Sequence, residues 1–177
     1  MPVLKVLEND SVRVEWRDGA WSVEWPGLGA TAQQIVTRAT FEGTQNPPET
    51  ADWETSLRSV PLSDALGRGR ALLATYQREG VTLQVQARLV PRQSAVIFTI
   101  AVRNDSPEPL LCSNLDSLHC PQVKLGRYAE PVVYVDSGSQ GGTHMAALGE
   151  GQTCAGICAL NNPASKLGLV CAFVSLA

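Results

Sequence analysis

Charge of one sign is what this sequence lacks first: 14 Lys and Arg stand against 17 Asp and Glu, a net charge of −3 over 177 residues. So small an imbalance excludes the electrostatic footprint of a nucleic-acid binder or of a protein held on an anionic membrane. No uninterrupted apolar run approaches the about 18 residues that a spanning helix needs, so no membrane segment is expected. The first ten residues, Met1 to Asp10, carry no basic region followed by an apolar stretch and a cleavage site. No export signal is therefore expected, and the expected compartment is the cytoplasm. Histidine is scarce, with His119 and His144 the two imidazoles. The five cysteines, at 112, 120, 154, 158 and 171, are odd in number. In a chain long enough to fold without staples they read as reduced, buried thiols rather than a disulfide framework.

What is present describes a turn-rich globular protein: 44 % apolar and 18 % charged residues, with 15 Gly and 11 Pro. Disorder is excluded by that balance. The length predicts one domain, residues 1–177, burying about 70 % of the surface its unfolded chain exposes. Val81, Leu83, Val85, Ala87 and Leu89 alternate with Thr82, Gln84, Gln86 and Arg88, the period of a half-buried strand with Arg88 on the solvent side. Ala71 to Tyr76 before it and Ala95 to Val102 after it complete an antiparallel meander, with Gly80 supplying a positive φ at the first turn. The last of these strands is apolar on both faces and reads as central, covered from both sides. Val12, Val14 and Trp16 alternate with Arg13 and Glu15, Arg17-Asp-Gly19 turns the chain, and Trp21, Val23 and Trp25 alternate with Ser22 and Glu24, which predicts a second hairpin with Trp21 and Trp25 on the core face beside Val23. Thr31 to Phe41 leans to strand through its β-branched residues and the alternation of Ile35, Thr37, Ala39 and Phe41.

No segment carries a helix of three turns, so the expected fold is all-β, an antiparallel β-sandwich with few or no long helices. Gly43 to Asp52 and Ser137 to Ser165 read as loops. After Lys166 the chain runs apolar to Ala177, which reads as the edge of a domain followed by more protein.

Reactive groups are hard to assemble. Asp136-Ser-Gly-Ser-Gln-Gly141 has neither the spacing nor the following helix of a nucleophile elbow. Cys154-Ala-Gly-Ile-Cys158 is a single close Cys pair without the second that structural zinc takes, so no metal and no cofactor are expected. Gly67 to Arg70 and Gly138 to Thr143 lack the Lys-Ser/Thr ending of a phosphate loop. Asp52, Glu54, Asp64, Asp116, Asp136 and Glu150 are carboxylates that folding would have to pair for glycoside hydrolysis, and the sequence favours no two of them. Trp53, beside the Pro-rich loop, is the candidate indole for a surface contact with a sugar.

Several phrases together resemble the amino-terminal β-sandwich of alpha-galactosidases and raffinose-synthase-like proteins of glycoside hydrolase family 36. They are Trp53, Ser63-Asp-Ala-Leu-Gly-Arg-Gly69 opening a strand, Ala101-Val-Arg-Asn104 with Ser106 and Pro107 closing the meander, and Leu167-Gly-Leu-Val170 heading an apolar strand. The resemblance implies a supersandwich of the galactose-mutarotase type, followed in relatives by a catalytic barrel that carries both catalytic Asp residues. It assigns no catalytic residue here. Relatives bring a sandwich loop to the active-site rim through a Gly, Gln, Ser, Trp phrase, and the nearest match, Gly138-Ser-Gln-Gly141, makes Gln140 a carbohydrate contact by resemblance.

The expected function is a non-catalytic accessory β-sandwich of an alpha-galactosidase-like glycoside hydrolase. Its expected partners are the missing catalytic domain, a second copy of the chain, and a galactoside-like carbohydrate. A carbohydrate-binding module using Trp53 and the 137–143 loop is the first alternative. A mutarotase- or epimerase-like enzyme, in which a His meets a carboxylate, is the second.

Overall fold

A computed structural model describes residues 4–41, 53–126, 133–136, 144–147 and 157–172, with side chains for all of these except 133–136 and 144–147. The described chain is all-β. Its one helical element is a 3-10 turn at Pro26–Leu28. Two compact units emerge, residues 1–27 with 31–123, and residues 28–30 with 124–177.

The first unit holds two antiparallel sheets. One runs β1 (Leu4–Glu8), β2 (Arg13–Arg17), β3 (Ala20–Trp25), β4 (Ala30–Phe41), with β9 (Cys112–His119) and β10 (Gln122–Lys124) both against β4. The other runs β5 (Glu54–Asp64), β6 (Gly67–Arg78), β7 (Val81–Leu89), β8 (Val96–Asn104). The expected hairpins form where the sequence places them. Asp18 and Gly19 turn β2 into β3 with φ of 49° and 89°, and Glu79 and Gly80 turn β6 into β7 with φ of 47° and 79°. Positive φ at both central residues is the turn whose twist matches paired strands. At Gly80 a side chain is barred twice over, by that φ and by Ser106, whose Cβ would lie 3.0 Å from a Cβ added there.

Alternation puts Val12, Val14, Trp16, Trp21, Val23 and Trp25 on the inner face of the first sheet, all buried. Opposite them, Leu72, Ala74, Tyr76, Leu83, Val85 and Ala87 form the buried inner face of the second. The two faces meet as a sandwich. The Trp16 Nε1–H donates to the Tyr76 hydroxyl at 3.1 Å, which donates to the Gly19 carbonyl at 3.1 Å, and Trp21 lies edge-on to Phe98 with centroids 5.8 Å apart. Burial pushes the Tyr76 phenol above its ordinary value, with the Trp16 bond a smaller, opposing influence, so the hydroxyl stays protonated as a donor. β4 keeps its core face through a flaw. Ala32 and Ile35 are both buried because Gln34 takes a φ of 57° and shifts the alternation by one residue, a bulge.

Two expectations need correction here. Val96–Asn104 ends the described sheet rather than occupying its centre, and Phe98, Ile100 and Val102 are only half-buried. An apolar run reports on both faces but not on which edges are paired. The stretch from Ser137 to Ser165, read as loop, contains two strands, one of only four residues, too short for alternation to be recognised.

In the second unit β11 (Val133–Asp136), β12 (His144–Ala147), β13 (Ile157–Asn162) and β14 (Leu167–Ala172) form an antiparallel sheet in the order β12-β11-β13-β14. Buried Asn162 ties its last turn to the chain entering the unit. Its amide donates to the Leu125 carbonyl at 2.8 Å, and its Oδ1 accepts from the Ala164 and Ser165 amides.

Removing the Tyr76 hydroxyl leaves the Trp16 indole N–H buried without an acceptor. Tyr76→Phe is therefore expected to lower unfolding free energy by about 1–3 kcal/mol in urea titrations, despite changing one atom.

Candidate functional site

The outer face of β2–β4 carries a shallow depression of about 340 Å³. Strand alternation builds it. With Val14 and Trp16 inward, Arg13, Glu15 and Arg17 face out, and register sets Glu24 beside Arg13 and Ser22 beside Glu15. Thr31, Gln33 and Gln34 close the far side, and the bulge at Gln34 exposes two successive amides. The Arg13 guanidinium meets Glu15 at 2.6 Å, while its Nε is buried without a hydrogen-bond partner. Two guanidinium groups and two carboxylates line the dish, so their charges cancel, and donors and acceptors alternate across it. Such a surface suits a neutral, hydroxyl-rich ligand better than an ion. Sequence reasoning placed these residues on the solvent face of a hairpin but offered no signal that singled them out.

The candidate sugar contacts stand differently. Trp53 is 6 % exposed, with its Nε1 buried and unpartnered, so the indole offers no free face as a stacking platform. Proximity to a Pro-rich loop says nothing of which way an indole packs, and its large apolar area favours burial. Gln140 and the remainder of the 137–143 loop lie outside the described residues.

The Asp64 phrase has a structural explanation. Asp64 ends β5, its Oδ1 accepts the Leu66 amide at 2.9 Å, and Gly67 restarts the chain at a φ of 105°. Its other oxygen accepts from the Arg88 guanidinium. Arg88 is thus not on a hydrated face as expected: it is 5 % exposed, its Nε has no partner, and its charge is matched by Asp64. Period two assigned it correctly to the face opposite the core but could not report what covers that face. The Leu66 amide first, and then Arg88, hold the Asp64 carboxyl below its ordinary 3.8. A glycine at position 69 is not explained, since a Cβ there would meet open space.

Among the described side chains the other carboxylates do not gather, and the side chain of Asp136 is not among them. Glu54 and Asp64 stand at opposite ends of β5, roughly 30 Å apart by strand rise. Asp116 accepts from Asn114 on β9, and Asp52 and Glu150 lie outside the described residues. Asp105 receives Arg103 and Thr82 in a structural knot after β8, and these two bonds, Arg103 first, keep its carboxyl below the ordinary value. Four of the five thiols depart from the expectation of burial: Cys112 and Cys171 are exposed and Cys120 and Cys158 half-buried, while Cys154 lies outside the described residues. Among the described side chains no group of three or more His, Cys, Asp or Glu comes together as a metal site. No helix is long and apolar enough to cross a membrane among the described residues. No family model, curated protein or solved structure matches the chain.

Two predictions test the Asp64 anchor. A carboxyl depressed in the folded state contributes stability that is present above its unfolded value and lost as pH falls through the folded one. Asp64→Asn should therefore be less stable than the parent at neutral pH in thermal melts, and the two curves should converge below about pH 4. Asp64→Ala, which strands a buried guanidinium, should lower the urea midpoint more than Arg88→Met, which leaves a half-exposed carboxylate to water.

Proposed function

We propose that this chain is a non-catalytic accessory β-sandwich of an alpha-galactosidase-like glycoside hydrolase, supplying packing surface to a barrel, a substrate mouth or an oligomer contact. An apolar strip on the second unit carries this reading. Val170 is 67 % exposed and Ile157 50 %, and register sets both on one face of β13–β14, where Ala159 opposes Val170 and Ala172 opposes Ile157. Apolar side chains collected on one face are stabilised by a covering surface. The engagement of Asp64 and Asp105 in structural ion pairs fits a scaffold role, and the resemblance of the Asp64 to Gly69 phrase supports the glycoside-hydrolase context.

The neutral dish on β2–β4 favours a second reading, a carbohydrate-binding module whose ligand sits on Arg13, Glu15, Ser22 and Gln33 rather than on Trp53.

The purified chain is expected to release no nitrophenol from aryl alpha-galactosides, and turnover that survives repurification contradicts the accessory role. Replacing Ile157 and Val170 with Glu should abolish self-association or association with a supplied barrel domain in analytical ultracentrifugation, without shifting the thermal melt. Calorimetric titration with galactosides separates the readings. Saturation in the micromolar to millimolar range that Arg13→Ala removes supports the module, and no heat with any saccharide removes it.

A further inference from the structure

The polar dish on the outer face of β2–β4 continues into an apolar strip on β1. Register sets Leu4 beside Arg17, Val6 beside Glu15 and Glu8 beside Arg13, and directly opposed residues of paired strands share a face. With β3 included, the outer face reads as rows: Leu4, Arg17 and Ala20, then Val6, Glu15 and Ser22, then Glu8, Arg13 and Glu24. Leu4 is 45 % exposed and Val6 37 %. Opposed Cβ atoms lie about 4.5–5.5 Å apart, so Val6 adjoins the dish at Glu15, and Leu4 extends the strip about 7 Å further along β1. Strip and dish belong to the first unit and form one surface. Arg13 is engaged by Glu15 at 2.6 Å. Arg17 joins no ion pair among the described residues, and it stands where the polar and apolar parts meet, with Glu15 along its strand and Leu4 across from it.

We propose that this surface binds a glycoside carrying an apolar aglycone, with the sugar in the dish, the aglycone along Val6 and Leu4, and Arg17 at the junction. The assignment rests on the second reading above, in which the dish holds a carbohydrate, and adds the class of ligand. Chemistry divides the surface in this way. In the dish, Arg13, Ser22, Glu24 and Gln33 offer a ring of hydroxyls both donors and acceptors. Beside Glu15 and Arg17, β1 offers Val6 and Leu4, and a second sugar laid there would press hydroxyls against aliphatic side chains without partners. An alkyl or aryl group laid there takes its own apolar area and theirs out of water. Arg17 suits the junction because its guanidinium donates to an oxygen of the sugar while its methylene stem continues the strip.

Two other occupants fit less well. A strand added to the edge of β1 would be held by backbone groups at that edge and would leave the face carrying Val6 and Leu4 uncovered. A second copy laid face to face would desolvate Glu8, Arg13, Glu15, Arg17 and Glu24 in order to cover two aliphatic side chains.

Calorimetric titration of the full chain with methyl and hexyl galactosides of one anomer tests the assignment, with hexanol as the sugar-free probe. Hexyl galactoside is expected to bind about 10-fold more tightly than methyl galactoside, the gain from burying a few methylene groups. Hexanol should give no saturable heat. The double variant Leu4→Ser with Val6→Thr should bind the two galactosides with equal affinity, and Leu115→Ser, which removes an exposed leucine on β9, should keep the preference. On the unaltered chain, the Leu4 and Val6 methyl resonances should shift with hexyl galactoside and stay in place with methyl galactoside, a reading that does not depend on a variant folding. Equal affinities in the unaltered chain would overturn the aglycone site and leave the carbohydrate reading standing, whereas binding of neither galactoside would remove both. A hexyl preference that survives the double variant, or hexanol binding as tight as that of hexyl galactoside, would also overturn the assignment. Dimerisation in analytical ultracentrifugation that the double variant abolishes would do the same, since it gives the strip to a second copy.

Discussion

A hydrogen bond between two buried aromatic side chains from opposite sheets sets the terms for the first unit. Burying an indole N–H and a phenol without partners would cost about 1–3 kcal/mol each, so the sheets must meet where Trp16 reaches Tyr76 and Tyr76 reaches Gly19. Apolar burial supplies the driving force but tolerates many alignments, whereas this chain of donors tolerates few. Gly19 belongs to the β2–β3 turn, so the same contact fixes the hairpin against the second sheet. With the inner faces committed, the outer face of β2–β4 is free to be polar, and the dish of Arg13, Glu15, Ser22 and Glu24 follows from alternation alone.

Much of this was legible because a strand reports its faces at every second residue. Trp21 and Trp25, placed in the core from their alternation with Ser22 and Glu24, are buried, and the turns at Asp18-Gly19 and Glu79-Gly80 fall where the sequence puts them. Period two names a face but neither its neighbours nor its cover. Arg88 was assigned to the face away from the core, yet it is buried beside Asp64, a partner 24 residues distant that pairing across β5, β6 and β7 brings near. Trp53 has no alternating context, and its burial was not readable. β12, four residues long, offers too few positions for a period to emerge.

The same limit applies across a sheet. Motif reading looks along the chain, while an antiparallel sheet gathers residues across it. His144, Asp136, Cys158 and Cys171 are separated by between 8 and 35 positions in sequence and stand in adjacent register positions in the sheet.

Native-state amide hydrogen exchange, read residue by residue, tests most directly the claim that the two sheets are locked through the Trp16–Tyr76 hydrogen bond. Amides of β2, β3, β6 and β7 should exchange last, at one common free energy equal to that of global unfolding, with β8 exchanging earlier. If β2–β3 and β6–β7 instead open at clearly different free energies, the sheets are separate cooperative units and the account fails.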